Sequence, residues 1–92
     1  MTRRLDRDGE KRLAEWLEHY KPLEPTRRLI AEALEAYAEN ENQLRFHVEI
    51  DPSNPDELVI SAAGGLRLWV LPLDGEQFTL IRVIDQRGWT GD

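Results

Sequence analysis

No cysteine occurs in this 92-residue chain, and methionine appears once. The lack of cysteine excludes a disulfide framework, a cysteine nucleophile and a thiolate metal site together, and it suits a reducing compartment. Serine is nearly absent too: Ser53 and Ser61 stand alone, and neither lies in a Gly-x-Ser-x-Gly elbow. The two histidines, His19 and His47, fall on different elements without zinc-like spacing. Nowhere does an apolar run approach the roughly 18–20 residues of a membrane span. The opening "MTRRLDRDGEKR" is basic but leads into no apolar stretch, so it does not read as a secretory signal. A cytoplasmic protein is the expectation, with no membrane partner.

Ligand-binding loops are also missing. "AAGGL" has no phosphate-loop lysine and joins strand to strand, which makes it a turn. "DPSNPDE" offers Asp51, Ser53, Asn54, Asp56 and Glu57 as oxygen donors, but it lacks the EF-hand spacing and its glycine. Neither a metal nor another cofactor is expected.

What is present is an ordinary globular balance, 40% hydrophobic and 33% charged, in a length suited to one domain. The net charge of −6 is uneven. Residues 1–12 hold five basic and three acidic side chains, whereas residues 29–60 hold eight acids and a single arginine. That acidic middle would be repelled by a phosphate backbone, so nucleic acid is disfavoured as a partner. Arg3, Arg4, Arg7, Lys11 and Arg12 could make a weak, salt-sensitive phosphate contact at most.

Apolar residues recur with helical spacing at Leu13, Trp16, Leu17 and Tyr20, and again at Ile30, Ala33, Leu34 and Tyr37. Asp6 or Asp8 suits the first N-cap, Lys21-Pro22 the first stop, and Pro25 the first turn of the second helix. After Gln43 the period becomes two. "LRFHVEI", "LVISAA", "LRLWVLPL" and "EQFTLIRVID" read as four strands, joined by the "DPSNPDE" loop and by turns at Gly64-Gly65 and Asp74-Gly75. The predicted fold is α+β in two layers: a helical hairpin over residues 1–42, a four-stranded antiparallel meander over 43–86, and a flexible tail over 87–92.

Two-residue turns would set Ile60 opposite Trp69 and Trp69 opposite Leu80. One face then collects Leu58, Ile60, Trp69, Leu71, Phe78 and Leu80 for the helices, with Leu44, Phe46, Val48 and Ile50 from the first strand. The other collects Val59, Leu66, Leu68, Val70, Ile81 and Val83, which Trp89 of the tail could partly cover. An apolar set of that size marks an interface. The expected function is accordingly a small acidic, non-enzymatic interaction module of inhibitor, antitoxin, immunity or adaptor type. Its partner would be a second copy of itself or another protein. The same register opposes Arg67 to Arg82, a pair in need of a carboxylate. The alternative is a metal-independent ribonuclease using Arg45, His47 and Glu49, which alternation places on one face of a strand.

Overall fold

The computed structural model describes residues 3–39 and 46–85. Two helices pack on one face of a five-stranded, mostly antiparallel sheet of order β1-β5-β4-β3-β2. The strands are β1 (Arg4–Leu5), β2 (His47–Asp51), β3 (Asn54–Ser61), β4 (Leu66–Leu73) and β5 (Gln77–Asp85). The helices are α1 (Arg7–Tyr20) and α2 (Glu24–Ala38). The α+β class is as expected, with one strand more. The added strand, β1, runs parallel to β5, pairing Arg4 with Gln77 and Leu5 with Phe78.

From β1 the chain turns directly into α1. Asp6 donates its backbone N–H to the Phe78 carbonyl and accepts the Gly9 N–H at its side chain, 2.7 Å away, which caps the helix. Gly9 is where α1 meets the sheet. A Cβ there would lie 2.6 Å from Leu5 Cδ1 and 2.7 Å from the Leu80 backbone nitrogen, so no larger residue fits without movement. Arg12, one turn on, donates to the Leu80 carbonyl and to Thr79 Oγ1, both at 3.2 Å. α1 therefore lies along β5, and its contact with α2 is slight. The expected two-helix layer is present on the sheet, with Leu13, Trp16 and Leu17 of α1 packed against the core that α2 closes.

α2 buries the stripe its sequence announces: Ile30, Ala33, Leu34 and Tyr37, with Leu29 beside them. In α1, by contrast, Leu13, Trp16 and Leu17 are half-buried and Tyr20 is exposed. The C-terminus of α2 is held from β1. Arg3 donates its backbone N–H to Ala38 O and its guanidinium to Tyr37 O, and it lies 4.7 Å from the Tyr37 ring centroid. A cation at the negative end of a helix is favourable. Tyr37 also meets Phe78 edge-on, with centroids 4.8 Å apart.

The strand register departs from the expected one by a residue at both hairpins. Ile60 lies opposite Leu68, Val59 opposite Trp69, and Leu71 opposite Thr79. The cause is loop length. Each loop spans three residues, Ala63–Gly65 and 74–76, with left-handed backbone at Gly64, Gly65, Gly75 and Glu76. A one-residue slip exchanges the faces of a strand. Leu66, Leu68 and Val70 are thus fully buried beneath the helices with Ile60, Phe78 and Leu80, and Trp69 and Leu71 point to the opposite side. In β5 a bulge supplies a second correction. Trp69 pairs with Arg82 and Val70 with Leu80, leaving Ile81 as the extra residue. The bulge returns Val83 to the core. It also separates Arg67, opposite Ile84, from Arg82, so the like-charge pair does not form.

The "DPSNPDE" segment is less of a loop than its prolines suggest. β3 begins at Asn54 and includes Pro55, and Asp51 already pairs with Asn54. Pro72 sits in β4 just past Leu58–Val70, where the β3–β4 ladder ends, so its missing N–H leaves no gap there.

Two outcomes follow from this packing. Leu68→Ala should lower unfolding free energy by about 2–5 kcal/mol in urea titration, the range for a large aliphatic side chain removed from a closed core. Burial raises the Tyr37 pKa above its ordinary value of 10.0, opposed in part by the nearby Arg3 cation. A raised folded-state pKa means its stabilisation is complete below pH 10 and is lost as pH climbs through the folded value. Alkaline melting curves should therefore show a loss of stability above about pH 10 that is smaller in Tyr37→Phe.

Candidate interaction surface

The two sides of the sheet, one ending in β1 beside β5 and the other in β2, are treated very differently. β1 pairs with the start of β5, Arg12 takes the Leu80 carbonyl, and α1 covers the rest of that side. A groove of about 370 Å³ remains there, lined by Trp16, Tyr20 and Ile81 with Arg12, Glu15 and Arg82 at its rim. Among the described residues β2 has no strand outside it in the sheet order. Its side chains alternate, with Val48 and Ile50 toward the helix side and His47 and Glu49 on the other, since Val48 pairs with Ile60 and Glu49 with Val59.

The helices do not reach β2. α1 packs along β5, and the layer that the two helices form stops short of the opposite margin. Because α1 is drawn to β5, the shortfall falls on the opposite margin. Val48 is 45% exposed and Ile50 61% exposed, although both lie on the core side of the sheet. Leu58 and Phe46 beside them are half-buried.

β2 is nonetheless firmly attached. Its last residue, Asp51, is buried and accepts the Trp69 indole N–H at 3.1 Å through Oδ2 and the Ser53 N–H at 2.9 Å through Oδ1. The second bond closes a tight Asx turn around Pro52. The Arg82 guanidinium stacks 4.4 Å over the Trp69 ring, forming a layered Arg82–Trp69–Asp51 contact from β5 across β4 to the end of β2.

The residues singled out as an interface thus divide. Leu66, Leu68, Val70 and Val83 belong to the core under the helices, Ile81 lines the α1–β5 groove, and Val59 is buried beside Trp69 on the other face. Trp89 lies outside the described residues. Of the alternative catalytic set, Arg45 also lies outside them. His47 Nε2 and Glu49 Oε2 are 3.4 Å apart, with their side chains 72% and 61% exposed. Arg3 and Arg12 of the basic N-terminal set are engaged by α2 and β5. Among the described residues no cluster of His, Asp and Glu could hold a metal ion, and no helix is long and apolar enough to cross a membrane. Val48 and Ile50, expected on the helix-covered face, lie on that side of the sheet but at a margin the helices leave open.

No protein-family model, curated protein or solved structure matches this chain.

Trp69→Phe removes the indole donor and leaves the buried Asp51 Oδ2 without it. Unfolding free energy should fall by about 1–3 kcal/mol, read by circular dichroism in urea.

Proposed function

We propose that this chain is a small acidic interaction module without catalytic activity, which acts through its sheet and works as a homodimer. The observation that carries this reading is β2, a marginal strand among the described residues, with Val48 and Ile50 uncovered on the side where Ile60 of the neighbouring β3 is fully buried. Open strand edges template further pairing, and natural proteins protect them with prolines, bulges or inward charges. From His47 to Ile50 β2 carries no proline, and its one irregularity lies at the Ile50–Asp51 step. Fully burying a large aliphatic side chain contributes about 1.5–3 kcal/mol, so covering part of Val48 and Ile50 on two chains is a substantial driving force.

The acidic charge suits such a role, because it keeps the free chain soluble and discourages unspecific contact with nucleic acid. Inhibitor, antitoxin, immunity and adaptor proteins all share this chemistry. The His47–Glu49 pair, open to water, is better suited to recognition than to proton transfer.

Light scattering after size-exclusion chromatography should give a mass near twice the 10.7 kDa of one chain. The double substitution Val48→Glu with Ile50→Glu should return it to one chain while the circular dichroism spectrum stays unchanged. A wild-type monomer at every concentration tested would overturn the homodimer reading.

A further inference from the structure

Resting on that reading, we infer how the second copy binds: β2 pairs with β2 of the partner, antiparallel, about a two-fold axis at Val48. The segment from Phe46 to Ile50 runs apolar, histidine, valine, glutamate, apolar, which is palindromic in chemistry if not in letters. Opposed residues in an antiparallel pair share a face. An axis at Val48 therefore sets Val48 against Val48 of the partner subunit and Ile50 against the partner's Phe46, all on the helix side. On the opposite side it sets His47 against Glu49 of the partner subunit, twice.

The placement of the Glu49 carboxylate decides the register. Within one chain His47 and Glu49 already approach to 3.4 Å along the strand. The two-fold adds a cross-strand partner to each, giving a square of alternating histidine and carboxylate. Moving the axis to Glu49 would set that carboxylate against its own copy, and moving it to Ile50 would set it against the partner's Asp51. Like charges directly opposite are unfavourable in a sheet. Moving the axis to His47 would oppose two histidines and take the partner's His47 away from Glu49.

The geometry also accounts for the exposed row. A two-fold perpendicular to the sheet keeps both helix layers on the same side. Val48 and Ile50 of the two chains then form one continuous apolar strip along the seam, each sheltered by the other copy. Ten strands make one sheet, and the β2 edge disappears.

A charge exchange tests this. His47→Glu alone places two glutamate pairs across the seam and should weaken the dimer about tenfold in sedimentation equilibrium. Adding Glu49→Lys sets glutamate against lysine at the same two places, and the double variant H47E/E49K should recover the wild-type dissociation constant to within about twofold. Both residues are surface-exposed, and circular dichroism on the same samples separates a folding defect from dissociation. Failure of the second change to restore the dimer, or a dimer indifferent to His47→Glu, would overturn this register. If Val48→Glu with Ile50→Glu still gave monomers in that case, the homodimer reading would stand and only the axis would be wrong. A wild-type monomer would remove both.

Discussion

The register of β4 against β3 and β5 is the constraint on which the rest of the molecule depends. With Leu68 set between Ile60 and Val83, and Val70 between Leu58 and Leu80, one face of the sheet becomes a continuous aliphatic surface that α2 closes with Ile30, Ala33 and Leu34. The same pairing sends Trp69 to the opposite face, where its indole reaches Asp51 and its ring carries Arg82. A shift of one residue would exchange these sets. It would turn the Trp69 indole and the Arg67 guanidinium toward the helices and take Leu66, Leu68 and Val70 out of the core. Few single features of a small sheet discriminate so strongly between alternatives.

From that register follows an asymmetry between the margins. α1 is fixed to β5 by the approach of Gly9 to the Leu80 backbone and by Arg12 on the Leu80 carbonyl. A helix held there cannot also shield β2. The margin left over is anchored at one end by the buried Asp51, so it stays presented as an ordered strand rather than peeling away. Fixed backbone, uncovered aliphatic side chains and an alternating charge pattern are together what a recognising edge requires.

Much of this was legible in the residues. The helical stripe of α2, the Asp6 cap and the change of period after Gln43 each state their outcome, because packing and capping act locally. Register did not yield to the same reading. Gly64-Gly65 resembles a two-residue turn, and so does Asp74-Gly75, yet in the second loop the left-handed pair is Gly75 and Glu76. A glutamate in that conformation costs about 1–2 kcal/mol, and nothing local advertises it. The better guide was parity: Leu58, Ile60, Leu66, Leu68, Val70, Phe78 and Leu80 are all even-numbered, which requires loops with an odd number of residues. Past Ile81 the parity breaks, and that break is the bulge. β1 was illegible for a simpler reason, since Arg4–Leu5 is too short to show any period. Val48 and Ile50 were correctly placed on a face but not in extent, because how far a helix layer reaches depends on where its helices are pinned.

The parallel pairing of β1 with β5 also bears on how the chain acquires its structure. Arg4 finds its strand partner in Gln77, across nearly the whole described length. Contacts of such separation are entropically expensive to close and tend to form late. During synthesis the N-terminal helix leaves the ribosome long before the strand it is built to cover. Until Gln77–Asp85 emerge, α1 has no sheet edge to hold, Gly9 has no Leu80 to approach, and Arg3 alone can begin to tether the start of the chain to α2. β5, made after the other described elements, is thus what fastens β1 and α1, and the domain cannot close until that strand is available.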